Sequence, residues 1–287
     1  MTATIFARGL HMMQLTANIW RMAVEKSGNQ SVERAAAVLR LFTGRSPALR
    51  VSDVASALDL GLSTASRLLA TLETVELVKR DPVSQLYELG PAVIAMAGVA
   101  LNNEPVYRQS RAVTQRLAWE LGLGANVAVR RGDSLFYLQN VEGPLAHKSY
   151  SLLGQRNPLH ATAMGKCLIL ELSRAYRVEL LGAGPLAAYT SRTITDHDAL
   201  DDDLRRCATR GYATEVEELA LGRACIAAPV RDHTGEIVAA LSVSGALSAI
   251  SLSEREAALG AIVIEAADSV SASLGYLGHT PTVPSHP

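Results

Sequence analysis

The stretch Leu60-Gly61-Leu62-Ser63-Thr64-Ala65-Ser66-Arg67-Leu68-Leu69-Ala70-Thr71-Leu72-Glu73 decides the fold. Ala65, Leu68, Leu69, Leu72 and Val75 recur at helical spacing, Ser63 stands where a cap is wanted, and Gly61 offers the backbone freedom of a sharp turn. Upstream, Ser52 precedes a short helix with Val54, Ala55 and Leu58 on one face. Before that, Val32, Ala35, Ala36, Leu39 and Phe42 mark an amphipathic helix capped by Ser31 and ended by the stretch from Gly44 to Arg50, which contains Pro47. Downstream, residues 77–80, 81–84 and 85–89 read as strand, turn and strand. Three helices followed by a hairpin predict a winged helix-turn-helix over residues 29–90. Pro91 then opens a linker helix over 91–103.

With its apolar face turned inward, the third helix presents Thr64, Ser66, Arg67, Ala70 and Thr71 outward, behind Ser63 at its start. Hydroxyls and helix N-terminal amides hold phosphate. A guanidinium pairs bidentately with guanine, worth about 1–3 kcal/mol of base discrimination. Lys79 and Arg80 on the hairpin would reach flanking phosphates or the minor groove. The candidate DNA-binding residues are therefore Ser52, Ser63, Thr64, Ser66, Arg67, Thr71, Lys79 and Arg80.

The 287-residue chain is 48% hydrophobic and 19% charged, which excludes a disordered chain and allows two cores. Only 5% is aromatic, so packing rests on small aliphatic side chains. The net charge of −1 carries no general attraction for nucleic acid or membrane, although residues 1–91 hold 10 Lys and Arg against 8 Asp and Glu. Cys167, Cys207 and Cys225 have neither disulfide nor zinc spacing. No apolar run spans a bilayer and no secretory leader is evident, which predicts a soluble cytoplasmic protein. Residues 1–28 read as a disordered leader in which either Met1 or Met22 is the true start, and residues 278–287 as a disordered tail.

Residues 104–277 alternate between helices and strands. Helices are predicted at 106–121, 161–170, 174–181 and 196–210, and strands at 126–130, 134–141, 148–152, 212–216, 224–230 and 237–245. A final helix to residue 274 opens with Ser253-x-x-Glu256 as a capping box. Hairpin-joined strands flanked by helices give an α+β sheet domain.

Several blocks in order resemble IclR-family transcriptional regulators. They are Gln30-Ser31-Val32-Glu33-Arg34-Ala35, the third helix, Tyr87-Glu88-Leu89-Gly90, Pro158-Leu159-His160-Ala161-Thr162-Ala163-Met164-Gly165-Lys166, Arg210-Gly211-Tyr212-Ala213, Cys225-Ile226-Ala227-Ala228-Pro229-Val230 and Ala240-Leu241-Ser242-Val243-Ser244-Gly245. The resemblance covers roughly residues 29–275. It implies a GAF-like effector-binding domain and a homodimer or dimer of dimers. It also implies a double-stranded DNA operator, and control by a small organic acid or aromatic carboxylate without a cofactor. Carried over by position, it gives Thr162, Ala163, Met164, Glu215, Cys225, Ser242 and Ser244 as effector-binding residues, with Glu215 standing where some members have Asp. Independently, Ser242 and Ser244 lie two apart on a predicted strand, so both hydroxyls face one side.

Other chemistry is weaker. Residues 160–167 lack both the first glycine and the final hydroxyl of a phosphate-binding loop. Gly182-Ala183-Gly184 follows a helix rather than a strand, so it fails as a dinucleotide fingerprint. Asp196, His197, Asp198 and the nearby Asp201–Asp203 read as a solvated helix start rather than a metal site. Glu217 and Glu218 read as surface carboxylates, His160 as a side chain bonding a loop backbone, and Cys225 as a small buried hydrophobe. No catalytic triad or metal set is indicated. The alternatives are an enzyme built on the C-terminal domain, or a thiol-based redox sensor using Cys225 or Cys167.

Overall fold

The computed structural model describes residues 29–146 and 152–278. The predicted leader, the tail from 279 onward and most of the strand expected at 148–152 lie outside these residues. The chain divides into two compact units between Ala100 and Leu101.

The first unit packs three helices, α1 (Gln30–Leu41), α2 (Val51–Ala57) and α3 (Leu62–Thr74), against a small antiparallel sheet. That sheet is ordered β1-β3-β2, from β1 (Ala48–Leu49), β2 (Val78–Arg80) and β3 (Tyr87–Leu89). Its core is Val38, Phe42, Leu49, Val54, Ala65, Leu69, Leu72, Val78 and Tyr87. The winged helix-turn-helix is therefore as expected, with a third strand added. Leu49 pairs with Tyr87 across β1 and β3 and is buried, which gives the apolar residue beyond Pro47 its place.

Details at the helix starts differ from the expectation. The cap positions fall at Asn29, Arg50 and Gly61, so Ser31, Ser52 and Ser63 sit inside the first turns rather than capping them. At α2 the Arg50 amide donates instead to the Asp53 carboxylate, at 2.7 Å. Val32 is 64% exposed while Val38 is fully buried, so the inner face of α1 runs through Ala35, Val38, Leu39 and Phe42. Val75, placed inward on α3, is exposed. Gly61 adopts φ −65° and ψ 145°, extended backbone open to any residue, whereas the left-handed residue of the turn is Asp59 at φ 53°.

Pro91 begins α4 (Pro91–Asn102), as read from the sequence, and none of its residues is buried. The second unit is built on a six-stranded antiparallel sheet ordered β6-β5-β4-β9-β8-β7. The strands are β4 (Gly124–Arg131), β5 (Ser134–Val141), β6 (Arg156–Pro158), β7 (Ala213–Val216), β8 (Arg223–Arg231) and β9 (Ile237–Ala246). Strand β6, which the sequence reading did not include, pairs with β5 at the sheet edge, Pro158 lying opposite Ser134.

One face of this sheet carries α5 (Pro105–Leu121) and α10 (Leu252–Ser273), with α9 (Leu247–Ile250) between β9 and α10. Leu117, Val127, Ile226, Leu241, Val243, Leu259 and Val263 close the core there. The opposite face carries α6 (Ala163–Leu168) and α8 (His197–Arg210), with α7 (Arg174–Leu181) preceding α8. The predicted capping box at Ser253 and Glu256 does not form. Ser251 occupies the cap position of α10, and Glu256 accepts from Arg210 at 2.8 Å and from the Tyr212 hydroxyl at 3.2 Å. Alternation along β8 and β9 sends Ile226, Leu241 and Val243 to one core and Cys225, Ala227 and Ala240 to the other. That second face also carries Glu215 and Ser244, which lie opposite Cys225, and Ser242, which lies opposite Ala227.

Candidate functional site

On the first unit, Ser63, Ser66, Arg67 and Thr71 of α3 are exposed and Thr64 is half-buried. The Arg67 guanidinium makes no hydrogen bond or ion pair among the described residues. Thr71 is less free, because its hydroxyl donates to the Arg67 carbonyl at 2.9 Å. Ser52 is exposed on α2. On the wing, Lys79 pairs with Glu88 across β2 and β3 at 3.1 Å, and Arg80 lies over the Tyr87 ring with its Nε donating to the Gln85 carbonyl. The wing cations are thus tied to their own hairpin, while Arg67 projects unpaired from α3.

On the second unit, the sheet's own pairing gathers the predicted effector residues. Glu215 lies opposite Cys225, Cys225 opposite Ser244, and Ser242 opposite both Ala227 and Asn126. A polar ladder crosses three strands. Asn140 donates to the Asn126 side-chain oxygen at 2.8 Å, and the Asn126 amide reaches Ser244 at 3.2 Å and Ser242 at 3.4 Å. Tyr137 and Asn157 meet at its flank, 3.2 Å apart. Asn126, Tyr137, Asn140 and Asn157 were not among the expected site residues. Asn126 could have been found from the sequence only by knowing that β4 pairs with β9.

Thr162 caps α6. Its hydroxyl donates to the Pro158 carbonyl at 2.8 Å and accepts from the Gly165 amide at 3.1 Å. Ala163 and Met164 are buried in the core under this face. His160 bonds the Ala187 carbonyl at 2.9 Å, and burial holds its ring below the usual histidine range, in keeping with the loop-bonding role read from the sequence.

The acidic groups behind the ladder correct the sequence reading. Glu218, expected at the surface, is buried and takes a hydrogen bond from Lys166 at 2.6 Å. Lys166 is 1% exposed and also meets Asp203 at 2.7 Å and the Thr214 carbonyl at 3.2 Å. Burial pushes this ammonium down, but Glu218 and Asp203 outweigh it and the net shift is upward. Glu217 accepts from the Gly222 amide and pairs with Arg192, so it too is engaged rather than solvated. Asp201 and Asp203, expected in a solvated helix start, are buried partners of Arg174, Arg177, Lys166 and Arg206. Asp196 does cap α8 as read, accepting from the Asp198 and Ala199 amides.

Glu215 accepts from the Glu218 and Leu219 amides at 2.6 and 3.1 Å. Burial nevertheless raises its carboxyl to about 7. Burial likewise pushes the Cys225 thiol to about 12 and the Tyr137 phenol to about 12, and it raises Cys167 further. Neither thiol is a thiolate at neutral pH, the form an oxidant would attack. The site is a hydrogen-bonding surface of amide and hydroxyl groups edged by the Glu215 carboxyl. Among the described residues no cluster of His, Cys, Asp and Glu could hold a metal, and no helix is long and apolar enough to cross a membrane.

Two family models match. One describes the IclR helix-turn-helix domain and covers residues 31–82; the other describes the bacterial transcriptional regulator IclR C-terminal region and covers residues 98–272. The HTH-type transcriptional regulator XynR of Escherichia coli is 32% identical over 75% of this chain and 85% of its own length. The HTH-type transcriptional repressor AllR of Escherichia coli is 30% identical over 89% of this chain and 94% of its own. A crystal structure of an IclR transcriptional regulator from Alicyclobacillus acidocaldarius superposes with TM-score 0.75 at 29% identity, covering 87% of this chain and all of that one.

Proposed function

The chain belongs to the IclR family of bacterial transcriptional regulators, and from that premise we propose how its two units divide the work. It is a DNA-binding transcriptional regulator. In our reading, α3 enters the major groove of an operator, with Arg67 reading a base edge and Ser63, Thr64, Ser66 and Thr71 fixing the helix against base edges and phosphates. Ser52, Lys79 and Arg80 hold the flanking backbone. The observation that carries this reading is the unpaired Arg67 on an otherwise hydroxyl-lined exposed face of α3.

The sheet face that carries α6 and α8 takes a small organic acid or aromatic carboxylate. Ser242, Ser244 and Glu215 supply hydrogen bonds, Thr162 and Cys225 border the ligand, and Ala163 and Met164 close the wall. The protein works as a homodimer or a dimer of dimers. Ligand control is linkage: an effector that binds one arrangement of the assembly better than another shifts operator affinity by that difference.

The test is a gel-shift titration of the full chain on its own upstream DNA, with excess random duplex at fixed salt. A discrete complex that survives competitor is expected. Arg67→Ala should cost about 1–3 kcal/mol on the operator and far less on random duplex. Equal losses on both would remove base readout by Arg67.

A further inference from the structure

Two rows of residues run along the exposed face of α3, each spaced by about one helical turn: Ser63, Arg67 and Thr71 in one, Leu62, Ser66 and Ala70 in the other. Leu62 is out of keeping with its neighbours. It is the first residue of the helix and 62% exposed, a large apolar side chain set among serines and an arginine. The core of the first unit is served by Ala65, Leu69 and Leu72 on the opposite side of α3, and Leu62 has no place in it. Farther along the face, the Thr71 hydroxyl donates to the Arg67 carbonyl at 2.9 Å and the Thr74 hydroxyl to the Ala70 carbonyl at 3.0 Å. With their hydrogens spent inside the helix, these threonines offer a partner a methyl group and an oxygen that only accepts.

The groove that such a face enters has one apolar feature. Guanine, adenine and cytosine present donors and acceptors at the major-groove edge, and thymine adds to its acceptor a C5-methyl group. Side chains in the first turn of a reading helix come nearest the base edges. A branched aliphatic side chain there, left open to water in the free protein, gains by covering a methyl and loses by covering a donor or acceptor it cannot pair.

We infer that Leu62 is a specificity-determining residue that reads a thymine through its C5-methyl group. Five residues of helix separate Leu62 from Arg67, a rise of about 7.5 Å, so that thymine lies within about two to three base-pair steps of the base that Arg67 reads. The inference rests on the reading of α3 as the helix in the major groove, and goes beyond it by naming a further reading residue and its base.

The experiment selects duplexes from a randomised pool with the full-length protein and replaces each thymine of the enriched sequence, one at a time, by 2′-deoxyuridine. That replacement removes the methyl group and leaves base pairing intact. Affinities are read by fluorescence anisotropy at fixed salt. At least one replacement should weaken the parent roughly three- to tenfold. Leu62→Ala should bind the thymine duplex more weakly by a similar factor and no longer distinguish thymine from uracil at that position, while Leu62→Met should keep the distinction. A melting point of Leu62→Ala equal to the parent's would show that the fold is intact. The inference is overturned if no replacement weakens the parent, or if Leu62→Ala responds to every replacement as the parent does. Arg67→Ala separates this inference from the reading beneath it. If Arg67→Ala loses discrimination against random duplex while every deoxyuridine is silent, α3 still reads the groove and the role of Leu62 falls. If Arg67→Ala discriminates as well as the parent and every deoxyuridine is silent, or if no sequence is enriched, the reading of α3 falls with it.

Discussion

Glu215 shows how one residue carries two demands. Its oxygen is fixed by the amides of Glu218 and Leu219, while burial lifts its carboxyl from the usual range to about 7. The unfolded chain loses this proton near 4.5, and the folded protein keeps it until about 7. The folded state therefore binds more protons between those values, and stability falls as pH rises through that window. Glu215→Gln keeps an oxygen for the two amides and removes the ionisation. Urea unfolding at pH 5 and pH 8 should show the variant gaining on the parent at the higher pH, on the order of 3 kcal/mol at most. An identical pH dependence in both proteins would show that Glu215 ionises freely. The neighbouring Glu218 marks the limit of sequence reading at this scale. Two adjacent acids look alike in a sequence, and only the arrival of Lys166 from α6, 52 residues away in the chain, draws one into the interior.

At the scale of elements, α6 depends on close approach. A β-carbon on Gly165 would fall 2.2 Å from the Leu159 carbonyl oxygen and 2.5 Å from the Thr162 hydroxyl that caps the helix. Gly165→Ala must therefore displace α6 or break its cap, at a cost of about 2 kcal/mol or more, and should weaken effector binding with it. Thermal melting with and without effector checks both, and a variant that melts with the parent would mean the helix can shift freely. Most elements were legible because their periodicity and stop signals agree. The helix at 174–181 and the strand at 134–141 fall where the sequence places them. What was not legible depends on pairing at a distance. Strand β1 has two residues and no alternation of its own, and it exists because Tyr87 and Glu88 lie beside it. The serine caps failed for a related reason. Each helix begins one residue before its serine, so Asn29, Arg50 and Gly61, two before it, take the cap position. Ser242 and Ser244 were readable from strand alternation alone, whereas Asn126 required the β4–β9 register.

For the whole molecule, the exposed apolar residues of α4 set the next constraint. Ile94 is 76% exposed, Val99 63% and Met96 53%, on a helix with no charged residue. Apolar surface of this kind, repeated along one helix, is what a second copy of the chain would bury. Self-association through α4 fits the dimer implied by the family resemblance. It also gives regulation a physical route, because two α3 helices on one palindromic site bind far more tightly than either alone when their spacing is held. Ile94→Glu combined with Val99→Glu places two charges on that surface, where burial against a partner would desolvate them. Sedimentation at micromolar concentration should show the parent as a dimer or larger and the double variant shifted toward monomer. The two unfolding curves should also differ in their dependence on protein concentration, since only an associating chain gains stability with concentration. Operator affinity of the double variant should fall while its affinity for random duplex changes little. If the double variant sediments with the parent, α4 is not the contact between copies, and the apolar face must serve another surface. If it becomes monomeric yet keeps full operator affinity, dimerisation is not what holds the two reading helices in register.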